Sequence, residues 1–120
     1  MNILVTGGLG FIGSNFINLY SQLYPDHNIY NLDNESYAAS HQNIRKDIPN
    51  YRFIKCDLAN KEELERSLES IEFHRVFHFA AESHVDNSIA GPDPFIFSNI
   101  IGTYNLLNFF RPKKNIIFLG

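Results

Sequence analysis

The chain is poor in sulfur and has no tryptophan: one Cys, one Met and no Trp among 120 residues. A lone Cys56 cannot close an internal disulfide, which fits a reducing compartment and reads as a small buried hydrophobe rather than a reactive thiol. A surplus of positive charge is missing too. Ten Lys and Arg stand against thirteen Asp and Glu, a formal net charge of −3, and the basic residues are scattered, which argues against a nucleic-acid or anionic-membrane surface. No apolar run reaches the length of a bilayer span, and the chain starts without a charged leader or cleavage site. Repeats, low-complexity segments and long charge runs are absent as well. The expectation is a soluble, cytoplasmic domain whose partners are small molecules, with no nucleic acid and no membrane.

What is present suits one packed domain: 44% hydrophobic residues, with eleven Phe and six Tyr to fill a core. A chain of this size buries roughly two thirds of the surface it exposes when unfolded. Strand-like and helix-like patterns alternate along it. "NILVTG" is a short apolar run ended by glycine, the pattern of a strand covered on both faces. "FIGSNFINLYSQLY" repeats Phe11, Ile12, Phe16, Leu19 and Leu23 at helical intervals until Pro25 and Asp26. "NIYNLD" is a second strand, and residues 34–50 form a polar stretch in which "SHQNIRKDI" predicts a short helix. "YRFIKCD" is a third strand, "NKEELERSLESI" a helix with Asn60 as N-cap and acids in its first turn, and "RVFHFA" a fourth strand. A loop over "AESHVDNSIAGPDP", an amphipathic helix over 94–110 and a fifth strand, "NIIFLG", follow. Strict alternation implies parallel strands with right-handed crossovers and helices on both faces. The fold class is α/β, a doubly wound parallel sheet of about five strands that reads as incomplete, with "NIIFLG" as an uncovered edge strand prone to association.

The four glycines of "VTGGLGFIGS" stand where the first strand turns into the first helix. Gly7, Gly10 and Gly13 serve three needs there: a tight reversal, close approach of main-chain N–H groups to a diphosphate, and close helix–strand packing. Gly8, Gly10 and Gly13 also meet the literal G-x-G-x-x-G spacing. An acidic residue should end the next strand about 20 residues on, to bind a ribose hydroxyl, and Asp33 stands there. Its carboxylate would repel the 2′-phosphate of NADP, and Arg45 and Lys46 lie about a dozen residues on, so NAD is the expected cofactor of a Rossmann domain spanning 1–120. A glycine turn that merely connects strand to helix predicts neither the loop's position nor Asp33. Asp57, ending the third strand, reads two ways: as an acceptor for the adenine amino group, or as a cap for the next helix.

These residues resemble the extended short-chain dehydrogenase/reductase family, through T-G-G-x-G-F-I-G-S at Thr6 to Ser14. "AAESHVDNSI", followed by "PDPFIFSNIIGTYNLL", is similar to the nucleotide-sugar dehydratase branch, above all those acting on dTDP-glucose, and unlike the 4-epimerases. The resemblance covers essentially the whole chain. It implies NAD contacts from Phe11 and Ile12, from Asp33, Asn34, Glu35 and Ser36, from Asp57 and Leu58, and from Ala80, Ala81, Glu82 and Ser83, with Ser98 in place of the usual Thr. His84 and Asn99 would approach substrate. Glu35 replaces an apolar residue of the family beside the adenosine ribose, which points to a lower cofactor affinity. The 94–110 helix contributes to a dimer in the family, so the resemblance implies a homodimer, although a Phe and Leu stripe of this kind serves the core as readily.

The family's reaction oxidises the sugar at C4, eliminates water across C5 and C6 and returns the hydride to C6. It needs a Tyr with a Lys four residues later on one helix, and an Asp and Glu after the fifth strand. Tyr51 and Lys55 match Y-x-x-x-K, but in a strand pattern they stand about 13 Å apart, against about 6 Å along a helix. No catalytic residue is therefore assigned. His74 and His78, in a strand pattern, read as satisfied histidines rather than metal ligands. The expectation is a truncated cofactor half without its substrate domain, inactive alone. The alternatives are a stand-alone NAD-binding or interaction module that pairs with a full-length relative through the 94–110 helix, and a fragment of a UDP-glucose 4,6-dehydratase.

Overall fold

In the computed structural model the elements run β1 (Asn2–Thr6), α1 (Phe11–Leu23), β2 (Asn28–Asp33), a 3-10 turn (His41–Asn43), β3 (Tyr51–Lys55), α2 (Lys61–Leu68), β4 (Arg75–His78), α3 (Pro92–Phe110) and β5 (Ile117–Leu119). The structure describes residues 1–35, 40–80 and 92–120, and for 92–98 only the helical backbone. All four strand pairings are parallel, and the five strands lie in the order β3-β2-β1-β4-β5. The chain therefore winds outward from β1 in one direction and then, through β4, in the other, which opens a crevice between the ends of β1 and β4.

Side-chain alternation along the central strands divides the core in two. Ile3, Val5 and Ile29 face α1 and pack with Leu9, Ile17, Tyr20 and Ile44. Leu4, Leu32 and Val76 face the opposite way, against Leu64 and Leu68 of α2 and Leu106 and Phe110 of α3. Cys56 lies in that second cluster, 1% exposed, and burial pushes its thiol up to about 11, as expected of an inert core residue. No described helix is long and apolar enough to cross a membrane.

Two local expectations are modified. The helix predicted within 40–48 shortens to the 3-10 turn, because Asn18 of α1 takes over the main chain that a helix would have used. Its amide donates to the Asn43 carbonyl at 2.9 Å and its Oδ1 accepts from the Arg45 N–H at 2.9 Å. The inner face of α1 is the line Gly13, Ser14, Ile17 and Tyr20, whereas Phe11, Leu19 and Leu23 point outward; Gly13 sits directly against Gly7 and Gly8 of the preceding turn. β5 is an edge strand open on one side only, since Phe118 packs into the α2/α3 core while Ile117 and Leu119 are exposed. Helix α2 is capped as predicted, the Asn60 side chain accepting from the Glu63 N–H at 3.1 Å.

Candidate functional site

The glycine loop is built by β2. Gly7 donates its N–H to the Leu32 carbonyl at 2.8 Å, Gly8 to Asn31 Oδ1 at 2.9 Å and Leu9 to Asp33 Oδ2 at 3.1 Å. Three successive amides of the turn are thus fixed by three successive residues of the neighbouring strand. Gly7 has φ of 72°, a left-handed conformation, and a Cβ there would fall 2.6 Å from the Ala80 Cα. At Gly13 a Cβ would collide with the Gly7 carbonyl and come within 2.8 Å of the Gly8 Cα. Gly10 is different. Its φ of −74° and ψ of 175° suit any residue, and among the described residues an added Cβ would meet only the Gly7 carbonyl, at 3.4 Å. Neither conformation nor packing requires glycine there, and the space it leaves opens over the start of α1.

That helix start has no answering charge or side-chain cap among the described residues. Its N-cap, Gly10, supplies no side-chain hydrogen bond, and the first turn holds no acidic residue. The Ser14 hydroxyl donates back to the Phe11 carbonyl instead of receiving an N–H. Phe11 and Ile12 are 80% and 67% exposed, so their side chains stand clear of the main-chain amides of this turn. Uncapped N–H groups and the positive end of the helix dipole make such a terminus suited to an anion.

Asp33 lies on the same edge, 7% exposed, with Oδ2 held by Leu9 and Oδ1 accepting from the Glu35 N–H at 2.8 Å. An ionised carboxylate offers about four acceptor positions, so the two backbone donors among the described residues leave capacity for ribose hydroxyls. Glu35 follows with φ of 58°, its Oε2 2.9 Å from His41 Nε2 and its Oε1 3.6 Å from Lys55 Nζ. The hydrogen bond with His41, foremost, and Lys55 hold its carboxyl below the usual range. The site thus brings together an uncapped helix start, an open glycine and a strand-end carboxylate, a fit to a diphosphate joined to a ribose.

On the far side of the crevice, β1 and β4 are tied at their ends. The Ala80 N–H donates to Thr6 Oγ1 at 3.3 Å; Thr6 Oγ1 lies 2.6 Å from His78 Nδ1, and His78 Nε2 lies 2.8 Å from Thr103 Oγ1 of α3. Burial lowers the His78 pKa. His74 accepts the Asn2 N–H on Nδ1 at 2.9 Å. Both histidines are therefore engaged in hydrogen bonds, and no group of three potential metal ligands occurs among the described residues.

Asp57 is exposed, and its Oδ1 accepts from the Ala59 N–H at 3.0 Å, a local turn ahead of α2 whose cap is Asn60. Leu58 points into the core beneath Gly102, with its carbonyl taken by the Asn105 amide at 2.8 Å, so a contact from Leu58 outward would use its N–H. Asn99 is half-buried on α3. Ser36, Ala81, Glu82, Ser83 and His84 lie outside the described residues, as does the Ser98 side chain. Tyr51 and Lys55 are both in β3, as their pattern predicts. Asn31 is the residue that sequence reasoning passed over. The signal was there, an amide in the middle of the apolar strand "NIYNLD".

A parallel sheet with the order reversal beside a glycine turn, an acidic residue ending the second strand and an uncapped helix between them defines a Rossmann-type α/β domain. The chain belongs to the family described as GDP-mannose 4,6 dehydratase, whose profile matches residues 4–119. It is similar to the dTDP-glucose 4,6-dehydratase of Haemophilus influenzae, 44% identical over 109 residues that cover 89% of this chain and 32% of that protein. It is also 40% identical, over 108 residues covering 88% of this chain and 16% of the relative, to a trifunctional UDP-glucose 4,6-dehydratase/UDP-4-keto-6-deoxy-D-glucose 3,5-epimerase/UDP-4-keto-L-rhamnose-reductase of Arabidopsis thaliana. Among solved structures, the dTDP-glucose 4,6-dehydratase of Bacillus anthracis in complex with NAD superposes with a TM-score of 0.82 at 38% identity, covering 98% of this chain and 36% of that one. The chain spans about one third of the length of these dTDP-glucose relatives. The resemblance carried by "VTGGLGFIGS" and "AAESHVDNSI" is borne out.

Proposed function

We propose that these residues are the NAD-binding portion of a nucleotide-sugar 4,6-dehydratase whose substrate is dTDP-glucose. The observation that carries the reading is Gly10, a glycine required by neither backbone nor packing, open above the uncapped start of α1 on the edge that also holds Asp33. Main-chain N–H groups from Phe11 to Gly13 would hold the diphosphate, with Gly7 shaping the turn and accepting the Gly10 N–H at 3.2 Å. Asp33, with Asn34, Glu35 and Ser36 after it, would border the adenosine ribose. Asp57 and the Leu58 N–H would reach the adenine. Ala80 and the residues up to Ser83, together with Ser98, would border the remaining part of the cofactor, and His84 and Asn99 would approach the sugar nucleotide. Bound NAD supplies the hydride acceptor for the sugar C4 position and the donor for C6.

These 120 residues are not expected to complete that reaction. The one Tyr and Lys at the required spacing, Tyr51 and Lys55, lie along a strand, where they stand about 13 Å apart. Similarity to both dTDP- and UDP-glucose dehydratases supports a nucleotide-activated glucose, with the UDP sugar as the alternative substrate. A second role is favoured by α3, on which Ile100, Tyr104 and Leu107 form an exposed apolar stripe. It suits pairing with a second copy or a full-length relative.

Calorimetric titration tests the first reading. NAD is expected to bind the wild type, and Asp33→Ala is expected to weaken binding about tenfold or more, the loss of a charge-assisted hydrogen-bond acceptor. Well-folded protein that binds no NAD would overturn it. Appearance of the 4-keto-6-deoxy sugar in an assay with dTDP-glucose and NAD would overturn the expected inactivity.

A further inference from the structure

Glu35 and its two partners form a charged cluster beside the place where an adenosine ribose would lie. We infer that Glu35 is a specificity-determining residue: it occupies Lys55 and His41, which would otherwise receive a 2′-phosphate, and so disfavours NADP. This rests on the dinucleotide reading above.

The geometry comes from the sheet. Asp33 and Lys55 are register partners at the ends of β2 and β3, and register partners in a parallel sheet project to the same face. That face is the one toward α1, because Tyr51 and Phe53 of the same strand pack in the α1-side cluster. Lys55 therefore rises next to the carboxylate that would bind the ribose. His41 arrives from the 3-10 turn, its ring edge-on to Phe53 with centroids 4.6 Å apart. Glu35 sits between them at 2.9 Å from His41 Nε2 and 3.6 Å from Lys55 Nζ. Its backbone is left-handed at φ of 58°, and its N–H is tied to Asp33 Oδ1 at 2.8 Å. The same two-residue step that presents Asp33 thus places Glu35. Arg45, another cation of this segment, is engaged by Asp47 at 2.6 Å.

The charge balance sets the direction. Two carboxylates, Asp33 and Glu35, oppose the one ammonium of Lys55, so a phosphate on the ribose would enter a site of net negative sign. Removing the Glu35 charge leaves Lys55 to answer Asp33 and frees both Lys55 and His41 to bind a phosphate oxygen. One charge against a phosphate of about −1.5 to −2, several ångströms away in a solvated site, corresponds to about a tenfold change in affinity.

The test is calorimetric titration of the whole chain with NAD and with NADP, for wild type, Glu35→Gln, Glu35→Asn and the double variant Glu35→Gln/Lys55→Gln. Glu35→Asn is the safeguard for folding, because Asn adopts the left-handed conformation readily; circular dichroism checks each protein. The expected result is a ratio of dissociation constants, NADP over NAD, that falls about tenfold in both single variants and returns toward the wild-type value in the double variant. A ratio unchanged in the folded single variants overturns the inference while leaving NAD binding intact. A fall that persists without Lys55 also overturns it, because the freed cation would not be its cause. Failure of wild type to bind either dinucleotide overturns the dinucleotide reading itself.

Discussion

Gly8 donates its main-chain N–H to Asn31 Oδ1 at 2.9 Å, and the Asn31 amide donates in turn to the Tyr51 hydroxyl at 3.0 Å. A fully buried amide in the middle of β2 therefore links the glycine loop of β1 to the edge strand β3. Asn31→Leu keeps the size of the side chain but orphans a buried N–H. The expected cost is about 2 to 3 kcal/mol of folding stability, measured by urea denaturation. A variant as stable as wild type would show that the loop does not depend on this bond.

Gly8 and Gly10 should separate folding from binding. A Cβ at Gly8 would strike the Asn31 amide and come within 2.5 Å of Ile17 Cδ1, whereas one at Gly10 would meet no atom of the described residues closer than 3.4 Å. Gly8→Ala is expected to lose about 1 to 3 kcal/mol through overpacking. Gly10→Ala should fold with stability within about 0.5 kcal/mol of wild type and bind NAD at least about tenfold more weakly, because its methyl group intrudes where main chain must approach a diphosphate. Thermal unfolding and calorimetry read the two effects. Full NAD affinity in Gly10→Ala would count against the proposed diphosphate position.

The His78 ring predicts a pH dependence of stability. Thr6 giving its proton to Nδ1 and the ring giving its Nε2 proton to Thr103 uses each group once and requires a neutral imidazole. Burial holds the folded pKa below the ordinary 6.5. Above that value both folded and unfolded rings are neutral and stability is complete. As pH falls below it the unfolded chain takes up the proton first, so stability declines until the folded value is passed. Denaturation midpoints should fall between about pH 7.5 and about 5.5, with a shallower slope in His78→Gln. Some slope should remain from His27, whose pKa burial also lowers. Identical slopes in the two proteins would remove His78 from the account.

Exposed apolar residues on α3 predict self-association. Ile100, Tyr104 and Leu107 follow one face at helical spacing and are 61%, 63% and 47% exposed. Sedimentation equilibrium should show concentration-dependent dimers that Tyr104→Glu weakens. Ile117→Lys, on the open side of β5, separates helix pairing from edge association. Dimers lost only in the second variant would move the contact from α3 to the sheet edge.

The doubly wound plan was legible because its signals are local. Short apolar runs, a glycine turn before a helical pattern and an acid ending the second strand depend on neighbours along the chain. Asn60 capping α2 is of the same kind. The segment 40–50 was less legible, since its course depends on Asn18, a residue more than twenty positions away that captures its backbone. The helical spacing in α1 was legible, but not which of its faces lies inward. Ile17 and Tyr20 lie inside with Gly13 and Ser14, and Gly13 sits directly against Gly7 and Gly8 of the turn, a contact that spacing along the helix does not encode.

By itself, then, the sequence determined the alternation of strand and helix, the position of the glycine turn and the acid that faces it, because each follows from backbone conformational preference and the period of apolar residues. Only the tertiary structure decided that Asn31 and Asp33 hold the amides of that turn, that Gly10 alone of its glycines has room for a Cβ among the described residues, and that Glu35 joins Lys55 and His41. These relations arise when parallel pairing brings residues far apart in the chain side by side, and no local preference encodes which strand will become the neighbour.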